Sequence, residues 1–150
     1  MSSGIPFNVV LGGDPTGQQT VNVEDLPNRI RSADCKNPVN SGNPDNFIKT
    51  QCFSFPNPVN LYGNSGRNSS TGPGLLDLDA SLIKNTQISD RFNAQFRLET
   101  FNVINHTNFS APLDNNVIFD ETGALVPGVG TIDSTQNPAR IVQLGLKFIF

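Results

Sequence analysis

From Leu75 onward the chain alternates apolar and polar residues: Leu76, Leu78, Ala80 and Leu82 share one face, while Asp77, Asp79 and Ser81 share the other. Successive side chains of a strand point to opposite faces, so this period of two predicts a strand over about 75–87. A short polar turn, Gln87-Ile88-Ser89-Asp90, precedes a second alternation over 91–105. There Phe92, Ala94, Phe96 and Leu98 oppose Arg91, Asn93, Gln95, Arg97 and Glu99. Together they predict a hairpin with one apolar and one charged face. Asp79 and Arg97 are expected opposite or diagonal to one another, as a cross-strand pair worth ~0.2–1 kcal/mol. A third strand is expected over 139–150, with Val142, Leu144, Leu146, Phe148 and Phe150 on its apolar face and Arg140, Gln143, Gly145 and Lys147 among the opposite set.

The remainder reads differently. Residues 1–74 are punctuated by turn formers such as Gly12-Gly13-Asp14-Pro15, Gly42-Asn43-Pro44-Asp45 and Gly72-Pro73-Gly74. Only Phe7–Leu11 and Ile48–Phe55 have strand composition there. Residues 106–138 are also loop-like, with a small hairpin tip around Phe119–Ala124. The expected organisation is therefore a long loop region (1–74), a hairpin (75–105), a second loop (106–138) and a terminal strand (139–150).

The three predicted strands outrun the ~5–6 residues usual in globular proteins and suit the ~9–11 tilted residues that cross a bilayer. Periodicity alone leaves a soluble sandwich or barrel open. Loop parity favours the membrane, since one short turn is flanked by two long connections, as in barrels with short periplasmic turns and long outer loops. The expected fold class is all-β: antiparallel transmembrane-barrel strands with long extracellular loops, forming part of a barrel. Three strands cannot close one, so upstream sequence, copies of the chain or another partner must complete it.

Composition narrows the function classes. With 13 Gly, 11 Pro and 15% charged residues, a helical bundle is disfavoured. A net charge of −3 without a basic stripe argues against nucleic-acid partners. The opening residues, Met1-Ser2-Ser3-Gly4-Ile5-Pro6-Phe7, lack the basic head and apolar run of a signal peptide. One histidine and two cysteines are too few for the usual structural zinc sites. A Cys35–Cys52 disulfide is the expected use of the thiols, stabilising by about 3 kcal/mol for a loop of this size in chain-entropy models. It requires an oxidising compartment such as the periplasm.

Several ordered stretches resemble one family. Tyr62-Gly63-Asn64-Ser65-Gly66-Arg67-Asn68, Gly72-Pro73-Gly74 and Leu78-Asp79-Ala80-Ser81-Leu82-Ile83-Lys84-Asn85 are followed by Phe96-Arg97-Leu98-Glu99-Thr100-Phe101-Asn102-Val103-Ile104-Asn105-His106-Thr107-Asn108-Phe109. With Pro138-Ala139-Arg140-Ile141-Val142-Gln143-Leu144-Gly145-Leu146-Lys147, these resemble the C-terminal barrel segment of Oar-like, acidobacterial-type TonB-dependent outer-membrane receptors. The resemblance implies a place in the cell outer membrane and a role in energised uptake, and it identifies no ligand. The plug domain and energy-coupling box of such receptors have no counterpart here, so transport by this chain alone is not expected. The last residues, with Gln143, Gly145, Phe148 and Phe150, resemble the signal read by the barrel-assembly machinery. An exposed edge and alternate side chains suit recognition by strand addition, and Gly145 suggests a close backbone approach. Expected partners are the rest of the barrel or further copies, that machinery and outer-membrane lipid.

Other chemistry is weaker. Asp77 and Asp79 form no convincing glycosidase pair, and His106 with Ser110 and Asp114 is a chance triad in a loop rich in such residues. Asp14, Asp120 and Asp133 lack calcium-loop spacing and read as turn residues. Neither an enzyme nor a cofactor is expected. Phe92, Phe101 and Phe109 are candidates for interfacial aromatic girdles. The alternative function is a self-assembling or secreted β-rich surface protein, an adhesin or fibre subunit, motivated by open strand edges.

Overall fold

The structure, a computed structural model, describes residues 1–17, 25–57, 59 and 62–150. Among them run β1 (Pro6–Phe7), β2 (Val10–Leu11), β3 (Asn28–Arg29), β4 (Phe53–Ser54), β5 (Ser70–Thr71), β6 (Ala80–Ser89), β7 (Phe92–Phe101), β8 (Val117–Phe119) and β9 (Ile141–Ile149). The chain divides into two compact units, residues 1–2, 75–108 and 135–150, and residues 3–74 with 109–134.

The first is the sheet unit: an antiparallel sheet in the order β6-β7-β9. Its register aligns Leu82 with Leu98 and Leu98 with Leu144, while Phe96 faces Lys84 on one side and Leu146 on the other. Strand parity therefore gathers Leu82, Phe96, Leu98, Leu144, Leu146 and Phe148 on one face and Asn85, Gln95, Arg97, Glu99, Gln143 and Lys147 on the other. The hairpin differs from expectation at its tip. Ser89 pairs with Phe92, and the register shifts after Gln87, so Ile88 is an extra residue that carries β6 past the expected turn. Asp90 and Arg91 make the connection.

The Asp79–Arg97 pair does not form. β6 begins at Ala80, and Asp79 Oδ1 instead accepts the backbone N–H of Asn102 at 3.0 Å. Arg97 lies between Ile83 and Gly145 and contacts Glu99 on its own strand, N to O 3.6 Å. The cause is the hairpin register, which sets Ile83 against Arg97 and leaves Asp79 well beyond it, beside Asn102, whose φ of 51° turns the chain out of the ladder just after β7. Asparagine visits this left-handed region more readily than most residues.

The second unit, residues 3–74 and 109–134, has short strand pairings: β1 with β5 and β3 with β4 antiparallel, β2 with β8 parallel. What holds it is a core that unites distant segments: Phe7, Val9 and Leu11 with Val39, Phe47 and Ile48, and with Ile118 and Ile132. Segments that read as two separate loops thus contribute to one unit. Phe109 packs against this core, which removes it from the expected girdle. Gly130 (φ 78°) accepts the N–H groups of both Phe47 and Ile48 at 2.8 and 3.1 Å, and a Cβ there would lie 2.7 Å from the Ile48 side chain.

Cys35 and Cys52 are disulfide-bonded, Cα to Cα 5.4 Å, and both are buried in this core. Asp120 closes the expected hairpin tip by accepting from Thr122 N and Oγ1 and Ala124 N at 2.7–2.9 Å. The Thr122 hydroxyl, then the backbone donors, hold its carboxyl below the usual carboxylate range. With so little regular structure, the disulfide-bonded unit depends on its cross-link. Replacing both Cys35 and Cys52 by Ser is expected to lower its unfolding free energy by about 3 kcal/mol, measured by denaturant titration followed by hydrogen exchange at Ile48 and Ile118.

Candidate functional site: the exposed sheet and its polar knot

The apolar face of the sheet is open among the described residues. Leu144 is 71% exposed, Leu146 62%, Leu82 60% and Phe148 50%, and every residue of β6 and β9 is exposed. A sheet in water buries one face against another layer. Here one face is mainly aliphatic and aromatic, with Lys84, Thr86 and Thr100 among its residues, and the other mainly carries amides and charges, with Ile83, Phe101, Ile141 and Ile149 among them. This is the pattern of a barrel wall with lipid on one side and an aqueous lumen on the other. At the turn end, Phe92 and Phe148 stack with centroids 5.5 Å apart. Lys84 shares the apolar face by parity, opposite Phe96. A lysine stem can lie along apolar surface while its ammonium reaches toward water.

At the opposite end of the sheet, side-chain amides tie together the segments that lead into and out of the strands. Asn102 donates to the carbonyls of His106 and Pro138 at 3.0 and 3.3 Å and accepts from His106 N at 3.0 Å. Asn108, 1% exposed, accepts from Leu76 N at 2.8 Å and donates to Leu76 O at 3.0 Å, as a neighbouring strand would. Asn105 (φ 53°) accepts from Arg140 N at 3.2 Å, and Asn137 donates to Asp77 at 2.7 Å. The His106 ring meets Asn108 Oδ1 at 3.1 Å. Asp77, Asp79 and His106 thus serve as hydrogen-bonding parts of a structural knot. Three of the asparagines, Asn102, Asn105 and Asn108, stand in the receptor-like stretch 96–109. Sequence reading missed the knot, although a cluster of asparagines just past a strand is a signal for left-handed turns and backbone mimicry.

The terminal residues fall as follows. Gln143, Gly145 and Phe148 lie in β9, opposite Glu99, Arg97 and Ala94. Phe150 lies one residue beyond the strand and is 96% exposed. The reason given for Gly145 does not hold: a Cβ there would meet Arg97 Cβ at 3.7 Å and Arg97 O at 3.9 Å, ordinary van der Waals contacts. What Gly145 leaves open is the polar face beside the Arg97 side chain.

A sequence profile for the outer membrane beta barrel domain matches residues 1–143. The chain belongs to this family. Searches of curated proteins and of solved structures find no match. Membership of the outer membrane beta barrel domain family makes the fold all-β and places the protein in the outer membrane. No helix among the described residues is long and apolar enough to cross a membrane.

Two substitutions on β9 separate the faces. Leu144→Lys places a charge on the lipid side and is expected to cost about 2–4 kcal/mol, whereas Lys147→Gln on the polar side should cost less than about 1 kcal/mol. Heat-modifiability gels of the outer-membrane protein across a urea series measure both. A third substitution tests the knot: Asn108→Ala removes two hydrogen bonds to part-buried backbone groups of Leu76 and is expected to destabilise by about 1–3 kcal/mol, read in the same gels.

Proposed function

We infer that the chain is the C-terminal part of the barrel of a TonB-dependent receptor of the Oar-like kind, working in energised uptake of a scarce ligand together with the rest of that receptor. The observation that carries this reading is the disulfide-bonded unit. A barrel that only spanned the membrane would need brief segments before β6 and between β7 and β9, as it has between β6 and β7. Here the long connections instead fold around a core of their own, with Phe47, Ile48 and Ile118 at its centre. Such a unit can present a shaped surface to a ligand. The resemblance of ordered stretches from Tyr62 to Lys147 to such receptors supports the same reading. In this topology the Asp90–Arg91 turn is periplasmic, the long connections are extracellular, and the cysteines pass through an oxidising compartment. The chain's work is binding and passage, without bond-making chemistry or a cofactor.

In the same reading β9 is the strand handed to the assembly machinery, with Gln143, Gly145, Phe148 and Phe150 as its signal. A second reading, a self-assembling surface subunit, draws on the outer edges of β6 and β9, which pair with no strand among the described residues. Cysteine cross-linking between Asn85 of one copy and Gln143 of another would succeed for that subunit and fail for a receptor barrel closed by its own upstream strands.

The receptor reading predicts that deleting the gene and disabling the inner-membrane energy-coupling protein give the same growth defect on a limiting nutrient, with no further loss when both are combined. An additive defect would remove energised uptake from the account. Removal of Phe150, or Gly145→Trp, is expected to slow membrane insertion several-fold at unchanged synthesis, as measured by pulse-chase fractionation. Normal kinetics in both variants would remove the assembly signal.

A further inference from the structure

The disulfide-bonded unit contains a cavity of about 670 Å³ lined by Arg29, Arg31 and Lys36, with Ser32, Asn64 and Ser69 among its other walls. Its size falls within the ~300–1,000 Å³ usual for small-molecule sites. Among the described residues no carboxylate lines it, although the whole chain carries a net charge of −3. The only ion pair among the described residues is Arg97 with Glu99, in the other unit, so the three cations have no counter-charge of that kind.

Arg29 is fixed in place. Its guanidinium lies 5.3 Å from the centre of the Phe53 ring and donates to the carbonyls of Ile30, Cys52 and Cys35, the last two belonging to the disulfide cysteines. Neutral acceptors orient the group and leave its charge uncompensated. Burial, and then the nearby Arg31 charge, lower its pKa from the ordinary value. Arg31 and Lys36 are exposed and make no contact that holds the fold.

We propose that this cavity is the receptor's ligand site and takes a small organic polyanion, bound through its carboxylate or phosphate groups. The proposal deepens the uptake reading and rests on it for the ligand's fate, whereas binding itself is independent of transport. The cross-link positions Arg29 through the Cys35 and Cys52 carbonyls. Arginine forks recognise carboxylate and phosphate oxygens, and the hydroxyl and amide groups of Ser32, Asn64 and Ser69 suit the polar body of such a ligand.

The test is calorimetric titration of the purified outer-membrane protein in neutral detergent with citrate, a hexose bisphosphate and the uncharged maltotriose. At least one anion should bind with one-to-one stoichiometry, weaken as salt rises, and outcompete maltotriose. Preference between the two anions identifies whether carboxylate or phosphate is the recognised group. The Arg31→Glu/Lys36→Glu variant should lose affinity at least about tenfold, while Arg31→Lys/Lys36→Arg retains it and both keep the heat-modifiability of the parent. Binding of neither anion, equal binding of maltotriose, or unchanged affinity in the charge-reversed variant overturns the proposal. Binding is read without uptake, so a failed energy-coupling experiment leaves this result standing, and the converse also holds.

Discussion

A bilayer is the one solvent in which the β6-β7-β9 sheet makes sense. Leu82, Leu98, Leu144 and Leu146 occupy one continuous face, none of the described residues forms a layer over it, and in water that face would be an association hazard. In lipid the same residues are the source of stability, and the cost moves to any charge placed among them. The bilayer also sets the backbone's terms: every N–H and C=O within the hydrocarbon must pair, which the nine- and ten-residue ladders do across the three strands and which the outer edges of β6 and β9 need neighbours to do.

That constraint ends where the strands end, and the asparagine knot marks the place. Asn102 leaves the ladder with a left-handed φ, and its side chain then bonds the His106 and Pro138 carbonyls. Asn108 substitutes for a strand by pairing both backbone groups of Leu76. The polar groups released from the ladder are thus satisfied by side chains, which allows long connections to depart from a fixed frame.

The alternation in 76–82, 92–98 and 142–148 was legible because strand parity needs no long-range information. The disulfide was legible by elimination. Where strands stop and how they register was harder to read: Ile88 continues β6 by a bulge, the register sets Ile83 rather than Asp79 against Arg97, and Asn102 turns the chain out just after β7. The disulfide-bonded unit was illegible for a different reason. Its core draws on Phe7, Ile48 and Ile118 from short apolar stretches and on Val39 and Ile132 set among turn formers. None belongs to a periodic run long enough to signal burial, and only their meeting in space reveals it. The cationic cavity follows the same logic, since Arg29 and Asn64 meet across a wide stretch of sequence, through the Arg29 N–H bond to Asn64 Oδ1 at 2.7 Å.

The most direct measurement of the membrane account is a nitroxide scan along β9. Single labels at residues 142 through 148 are reconstituted in lipid with the Cys35–Cys52 disulfide intact, and their collisions with oxygen and with a water-soluble nickel chelate are compared. Labels at 142, 144, 146 and 148 should favour oxygen and those at 143, 145 and 147 the nickel chelate, giving a clean period of two. A flat profile, or nickel access at Leu144 and Leu146, would contradict a lipid-facing sheet.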